Sequence, residues 1–240
     1  MTALRQGESI GWGEGTHAIR VAGEHAVCDP RGVLYLPDHE ALVVSDLHLE
    51  KGAAFARRGM FLPPHDTAET LARLAAVVLH YDPKIVVSLG DSFHDRFGAS
   101  HMPEAFRDML CGIIGSREWF WIAGNHDREA PERLPGTPCA ELRLGQLAFR
   151  HLPGAGPVSG EVAGHLHPCA KIVARGRPMR LRCFASDGER LVMPAFGAYA
   201  GSLNVLDRAY TNLFRWEGFT AFLMGNARIF PAPRAALVGG

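Results

Sequence analysis

Three short apolar segments in the first half of the chain alternate with two stretches in which apolar residues recur every three or four positions. The apolar segments are rich in β-branched or aromatic residues and are bounded by polar residues or glycine, a pattern typical of buried strands. They cover residues 41–44, 84–89 and 119–123. The periodic stretches predict helices over residues 66–78 and 103–113, and Asp66 with Glu69 predicts a capping box on the first. This order favours a parallel sheet covered by helices.

From about Thr137 the pattern changes to short strand-like segments separated by frequent glycine and proline. These segments predict a second sheet, with strands at residues 142–144, 147–150, 172–175, 179–184 and 191–194 and a hairpin within 216–230. The two halves together predict an α/β fold, a sandwich in a single domain over residues 16–230. Residues 1–15 and 231–240 lack packing signals, so we expect flexible ends there.

Polar segments that contain Asp, Asn or His follow the predicted buried strands. The motifs are D-x-H at 46–48, G-D at 90–91 with His94 and Asp95 after it, G-N-H-D at 124–127, His151 after a later strand, and G-H-x-H at 164–167. Open α/β sheets place ligand sites at the carboxyl ends of parallel strands, so we expect these segments to meet. On an extended segment, Asp46 and His48 would point to one face, as would His165 and His167.

Each motif taken singly also has an ordinary structural explanation. A D-x-H pair is common on protein surfaces, Gly-Asp often only ends a strand, and Gly-Asn-His-Asp is compatible with a plain turn. His151 has no motif around it and could be a hydrogen-bonded core histidine. The occurrence of all five features in this order, each after a strand, is what indicates a metal site.

This ordered set resembles the calcineurin-like metallophosphoesterase superfamily. The resemblance implies a β-sandwich flanked by helices that carries two metal ions. The implied ligands are Asp46, His48, Asp91 and His167 for one ion and Asp91, Asn125, His151 and His165 for the other, with Asp91 bridging. His126 is not needed as a ligand and would stabilise or protonate the leaving oxygen.

The chemistry of these residue types agrees with a phosphoester substrate. The net charge of two divalent ions, two carboxylates and a bridging hydroxide is about +1, which would attract a phosphate. The hydroxide would then attack the phosphorus in line with the leaving oxygen. Oxygen and imidazole ligands without thiolate suit manganese, iron or zinc and do not choose among them.

The residues after Asp91 bear on the substrate. Phosphoprotein phosphatases of the superfamily have G-D-x-x-D-R-G here, whereas this chain has His94 followed by Asp95 and no Arg-Gly. The segment G-D-x-F-H is similar to DNA-repair nucleases of the superfamily, in which the histidine faces the substrate. The alternative is that His94 and Asp95 form a supporting pair that orients His126 or a ligand.

Longer segments resemble one bacterial branch, the ligase-associated DNA-damage-response endonucleases. They are D-L-H-L-E-K-G at 46–52, G-H-L-H-P at 164–168, R-L-R-C-F at 180–184 and L-V-M-P-A-F-G-A-Y-A-G at 191–201. The resemblance implies manganese-dependent phosphodiesterase activity on DNA, single-stranded DNA in particular. It also implies cooperation with a DNA ligase and a helicase-like repair protein.

The charge of the chain gives no global attraction to nucleic acid, because 25 basic and 25 acidic residues balance. Local contacts are therefore expected, and four residues beside the motifs are candidate phosphate-binding groups: Lys51, Arg57, Arg58 and Arg128. Arg180 and Arg182 are predicted to share the exposed face of a strand in a basic stretch. Ordinary solvated charge is the alternative for all six.

The remaining sequence features concern location and rival functions. No apolar run approaches the ~18 residues of a membrane span, and five cysteines without a C-x-x-C pair suggest free thiols in the cytoplasm. We therefore expect a cytoplasmic enzyme with no membrane partner. The rivals are a phosphoesterase for nucleotides or other small phosphoesters, which zero net charge favours, and a catalytically inactive scaffold.

Overall fold

Two β-sheets pack against each other in the computed structural model, which describes residues 13–60, 65–129, 131 and 133–239. The first sheet has seven strands, hydrogen-bonded in chain order. They are β1 (His17–Val21), β2 (Glu24–Cys28), β3 (Leu34–Leu36), β4 (Ala41–Val44), β5 (Ile85–Ser88), β6 (Glu118–Ile122) and β7 (Thr137–Cys139). Strands β1 to β4 pair antiparallel and β4 to β7 pair parallel, so the sheet is mixed. The predicted parallel arrangement is confirmed for its second half.

Four α-helices lie in the described part of the first half of the chain. They are α1 (Lys51–Arg57), α2 (Asp66–Tyr81), α3 (Gly98–His101) and α4 (Glu104–Ile114). The two predicted amphipathic helices are confirmed as α2 and α4, whose apolar residues Leu71, Leu74 and Leu110 pack on the outer face of the first sheet. The predicted cap is wrong: Asp66 lies inside α2, and its carboxylate accepts the N–H of Gly52 at 2.8 Å instead.

The second sheet has nine strands. They are β8 (Leu142–Leu144), β9 (Leu147–Arg150), β10 (Glu161–Ala163), β11 (Pro168–Ala174), β12 (Arg177–Ser186), β13 (Arg190–Val192), β14 (Leu203–Asn204), β15 (Thr220–Met224) and β16 (Ile229–Pro233). Their order is β14-β11-β12-β13-β10-β9-β8, and the hairpin of β15 and β16 joins through β12. The predicted hairpin in this part of the chain is confirmed.

The central core lies between the two sheets. Val43 and Val87 of the first sheet and Phe149 and Phe184 of the second belong to one buried cluster, and each of these side chains is fully buried. A third cluster covers the outer face of the second sheet with residues from β14 onward, such as Tyr210. The predicted single-domain α/β sandwich is therefore confirmed. None of the helices in the described part of the chain has the length and apolar character needed to cross a bilayer.

The two ends of the chain were expected to be flexible. Residues 1–12 lie outside the described residues, and the carbonyl of Gly15 accepts the N–H of Ile229 at 2.8 Å. Residues 231–240 were expected to be flexible, but part of this segment is packed in the structure. Strand β16 extends to Pro233, and Leu237 is only 6% exposed. Leu237 packs into the outer cluster of the second sheet, and Val238 donates to the carbonyl of Lys171 at 2.9 Å.

Candidate metal centre

The motif residues come together where strands from both sheets end. Asp46 follows β4, Asp91 follows β5 and Asn125 follows β6, while His151 follows β9 directly and His165 follows β10. Their loops are tied to one another, as the N–H of His48 donates to the carbonyl of Asp91 at 2.9 Å. The expectation that these segments meet is fulfilled.

The backbone at this centre adopts an unusual conformation. Five residues have a φ in the left-handed region, which residues other than glycine rarely adopt. They are Asp46 (53°), His48 (45°), Asp91 (46°), His165 (67°) and His167 (45°). The expectation that the D-x-H and H-x-H segments are extended is therefore wrong. Such backbone costs about 1–3 kcal/mol per residue and persists only where the surroundings impose it, which is typical of functional sites.

Close approach of the loops requires small residues at two positions. A side chain at Gly124 would collide with Asp91, and one at Gly164 would collide with Ser45 and Asp46. Neither glycine has a positive φ, so the requirement here is for space. Gly90 differs, because it combines a φ of 78° with contact against the His151 ring.

The first candidate ligand group consists of Asp46, His48 and His167. The Nε2 atoms of the two imidazoles lie 3.4 Å apart, and Nε2 of His167 lies 3.1 Å from Oδ1 of Asp46. Oδ1 of Asp46 is buried, and apart from this contact with His167 it has no hydrogen-bond partner among the described residues. Burial lowers the pKa of His48 to about 4, so its imidazole is neutral near pH 7 and keeps a lone pair.

The second candidate ligand group consists of Asp91, His151 and His165. Nε2 of His151 lies 3.3 Å from Oδ2 of Asp91, 3.2 Å from Nδ1 of His165 and 2.9 Å from Oδ1 of Asn125. The Nδ1 atom of His151 lies 3.0 Å from the carbonyl oxygen of Leu89, to which it can donate a hydrogen bond when it carries the ring proton. In that tautomer Nε2 has a free lone pair and can coordinate a cation.

These donors fit divalent cations. Each group gathers one carboxylate and two imidazoles within 4.8 Å, mostly buried and supplied by loops far apart in the chain. A cation would satisfy the buried Oδ1 of Asp46 and separate the facing nitrogens of His48 and His167. The groups adjoin each other, since Nδ1 of His151 lies 3.9 Å from Oδ1 of Asp46. By distance Asp91 belongs to the second group.

The two predicted catalytic histidines lie at the open side of these groups. The side chain of His126 is 43% exposed, and its Nε2 lies 3.9 Å from Oδ2 of Asp91. The ring of His94 stacks on it, with centroids 5.6 Å apart and planes inclined by 18°. Burial, with the positive charge of Lys51 as a smaller cause, lowers the pKa of His94. Both imidazoles therefore border the space next to the candidate ligands.

Two aspartates beside the motifs have distinct surroundings. Asp95 forms an ion pair with Arg57 at 2.8 Å and accepts the N–H of Phe97, so its carboxylate holds a turn. Asp127 accepts the N–H of Phe93 at 3.1 Å, and burial together with the charge of Asp91 raises its pKa to about 7. Asp127 was not among the predicted site residues, and its place in G-N-H-D is the one sequence feature that points to it.

The candidate phosphate-binding residues differ in their surroundings. Nζ of Lys51 donates to the carbonyl of Tyr199 at 2.8 Å, whereas Arg128 is exposed at the rim of the centre. Arg180 and Arg182 share a strand face as predicted, and Arg180 is exposed as expected, whereas Arg182 is half-buried. They donate to the carbonyls of Ser202 and Ala195, at 2.6 and 3.0 Å.

The glycine-rich segment 195–202 packs beside the centre. Gly197 donates to the carbonyl of Asp46 at 3.1 Å, and Ala198 donates to the hydroxyl of Thr70 at 3.2 Å. Thr67 of the same helix accepts the N–H of Glu50 at 2.8 Å. The start of α2 thus positions the loops around the metal centre, a role that nothing in the local sequence indicates.

Residues 40–184, more than half of the chain, match the family model of the calcineurin-like phosphoesterases. The chain belongs to this family. With its two Asp/His ligand groups it is a metal-dependent phosphoesterase, a hydrolase. The alternative of an inactive scaffold is therefore not supported, because both candidate ligand groups are assembled.

Two solved structures were compared with this phosphoesterase. The Pseudomonas putida nuclease MPE is 25% identical, with 90% of this chain and 100% of that chain covered and a TM-score of 0.67. The phosphoesterase YfcE from E. coli is 15% identical, with 79% and 96% covered and a TM-score of 0.41. No curated protein sequence matches the chain significantly.

Proposed function

We propose that this phosphoesterase is an endonuclease that cuts single-stranded DNA in DNA repair. The observation that carries the proposal is the likeness to the nuclease MPE along 90% of the chain. The segment with His94 after Asp91, in place of the phosphoprotein phosphatase motif, supports the same substrate class. Cooperation with a DNA ligase and a helicase-like protein remains a prediction from the sequence resemblance.

We assign the ligands as the sequence resemblance implies them. Asp46, His48 and His167 would hold one ion, Asn125, His151 and His165 the other, and Asp91 would contribute to both. Two divalent ions, manganese by preference, would lower the pKa of a water molecule and neutralise charge on the phosphate.

The other side chains of the centre would bind and orient the substrate. His126 stands closest to Asp91 at the open side, where its Nε2 can donate a proton to the leaving oxygen. His94 stacks on His126 and limits the orientation of that ring. Arg128 offers a guanidinium to a neighbouring phosphate, and Lys51, whose Nζ also donates to the carbonyl of Tyr199, is the second candidate for phosphate contact.

Cleavage of circular single-stranded DNA in Mn²⁺ tests the proposal, with Asp91→Asn purified in parallel. Circles have no ends, so linear products that are lost in the variant would establish an endonuclease at this centre. Hydrolysis of a small phosphodiester without any DNA cleavage would instead support the rival function, a phosphoesterase for nucleotides or other small esters. The zero net charge of the chain is the observation that favours this rival.

A further inference from the structure

A cavity of 450 Å³ opens beside the metal centre. Its inner wall is apolar where Phe93 and Ala99 line it, and the stacked rings of His94 and His126 form a second wall. Asn125 lines the cavity and also lies 2.9 Å from His151, so the cavity and the second ligand group share a boundary. A molecule bound at the centre can therefore continue into this cavity.

Two arginines reach the rim of the cavity because an ion pair links two separate segments. Arg57 ends α1, and its guanidinium contacts Asp95 at 2.8 Å. Arg58 and Arg96 are the next residues in each segment, and both line the cavity. The ion pair thus brings two further cations to one rim.

These two cations lack anionic partners within the described ranges. Among the described residues, no carboxylate or hydrogen-bond acceptor pairs with the guanidinium of Arg58 or Arg96, and that of Arg96 lies over the ring of Phe97 at 4.5 Å. Three carboxylates also line the cavity. Asp95 pairs with Arg57 and Asp127 accepts the N–H of Phe93, whereas Glu129 is exposed and has no ion pair among the described residues. Unpaired guanidiniums at a cavity mouth are suited to bind phosphate.

We propose that this cavity binds the nucleotide next to the scissile phosphate, with Arg58 and Arg96 contacting the following phosphate of the strand. The inference rests on the proposed nuclease function and names a substrate subsite within it. A nucleobase can stack on the imidazoles of the wall or on Phe97, which is 44% exposed beside Arg96. Because a base paired within a duplex cannot enter, the subsite favours single-stranded nucleic acid.

The test compares two substrates and uses exposed residues. The double variant Arg58→Gln/Arg96→Gln removes two charges, and Arg20→Gln on β1, at the opposite edge of the first sheet, is the control for loss of surface charge. We would measure kcat/KM in Mn²⁺ for a single-stranded oligonucleotide at several salt concentrations. The same preparations would be assayed with bis(4-nitrophenyl) phosphate, a diester that has no second phosphate for the two arginines to contact.

We expect DNA cleavage in the double variant to fall about ten-fold or more relative to small-diester hydrolysis. The slope of log kcat/KM against log salt concentration should become shallower by about 0.7 for each lost contact, and Arg20→Gln should not show this change. Equal losses on both substrates, or an unchanged salt slope, would overturn the subsite. Wild-type enzyme that hydrolyses the diester but leaves DNA intact would overturn the proposed nuclease function itself.

Discussion

His126 and Asp91 are joined through the backbone as well as through their side chains. The N–H of His126 donates to Oδ1 of Asp91 at 3.0 Å, while Oδ2 of Asp91 faces His151 at 3.3 Å. One carboxylate therefore serves a candidate ligand group and fixes the segment that carries the candidate acid. The roles of the two residues can be separated by mutation.

Asp91→Asn should abolish turnover and reduce metal content, because it removes a negative charge between two groups that would bind cations. The amide keeps an oxygen for the N–H of His126, so the loop should remain in place. The measurements are activity and metal content per chain. The control variant is Asp38→Asn, which removes the same charge from an exposed carboxylate that contacts His25. Unchanged activity would contradict a centre with two metal ions.

His126→Ala should retain metal but lose about 10²- to 10⁴-fold in turnover, the range typical of general acid–base groups. Its imidazole lies outside both candidate ligand groups, and its backbone N–H would still reach Asp91. Metal content measured beside the rate distinguishes the roles. Equal loss of metal and rate in this variant would make His126 a ligand.

Gly164→Ala should destabilise the protein and weaken metal binding, because the added methyl group would contact Ser45 and lie 2.8 Å from Oδ2 of Asp46. Overpacking of this kind costs about 1–3 kcal/mol. Gly112→Ala is the matched control: it lies in α4 with no atom within 4 Å of the new carbon. There the free energy of unfolding should rise by about 0.5–1 kcal/mol. Chemical denaturation measures both, and equal effects would contradict the steric argument.

Thr70→Val should lower the free energy of unfolding by about 1–3 kcal/mol. Thr70 is buried, and its replacement leaves the N–H of Ala198 without its acceptor. Thr70→Ser keeps the hydroxyl that accepts this N–H. Its free energy of unfolding should therefore lie close to that of the wild-type protein, apart from the cost of the missing methyl group. Urea denaturation of the three proteins is the measurement. Equal stabilities for the valine and wild-type proteins would show that the hydrogen bond does not hold the segment at 195–202.

Asp127→Asn should change the pH dependence of stability in metal-free protein. The pKa of Asp127 rises on folding from 3.8 to about 7, so the folded chain binds more protons than the unfolded chain between these values. Wild-type stability is therefore lost as the pH rises through that window, by up to about 4 kcal/mol. The asparagine variant lacks this loss, so its stability relative to wild type should increase from pH 4 to pH 7. Denaturation with chelator at several pH values checks the sign, and an opposite trend would contradict a buried carboxyl.

The local pattern of the chain was sufficient for its main helices and the parallel strands. Strands β4 to β6 are continuous apolar runs, and helices α2 and α4 have strong apolar periodicity. Such segments have few other ways to bury their apolar side chains. Strands β1 to β3 went unpredicted, because three to five residues carry little periodic signal and their pairing depends on neighbours already in the sheet.

The chemistry of the site was also readable from the sequence, because the residue types and their order after successive strands are local facts. Sequence by itself thus determined the fold class, the family and the set of candidate ligands. Tertiary structure alone decided how they meet: through left-handed backbone at Asp46 and His167 rather than extended segments. It also decided that Arg182 holds a carbonyl rather than facing solvent, and that Arg58 and Arg96 share a cavity rim. Such features depend on contacts between residues far apart in the chain, and only the packing of the two sheets and the helices brings those residues together.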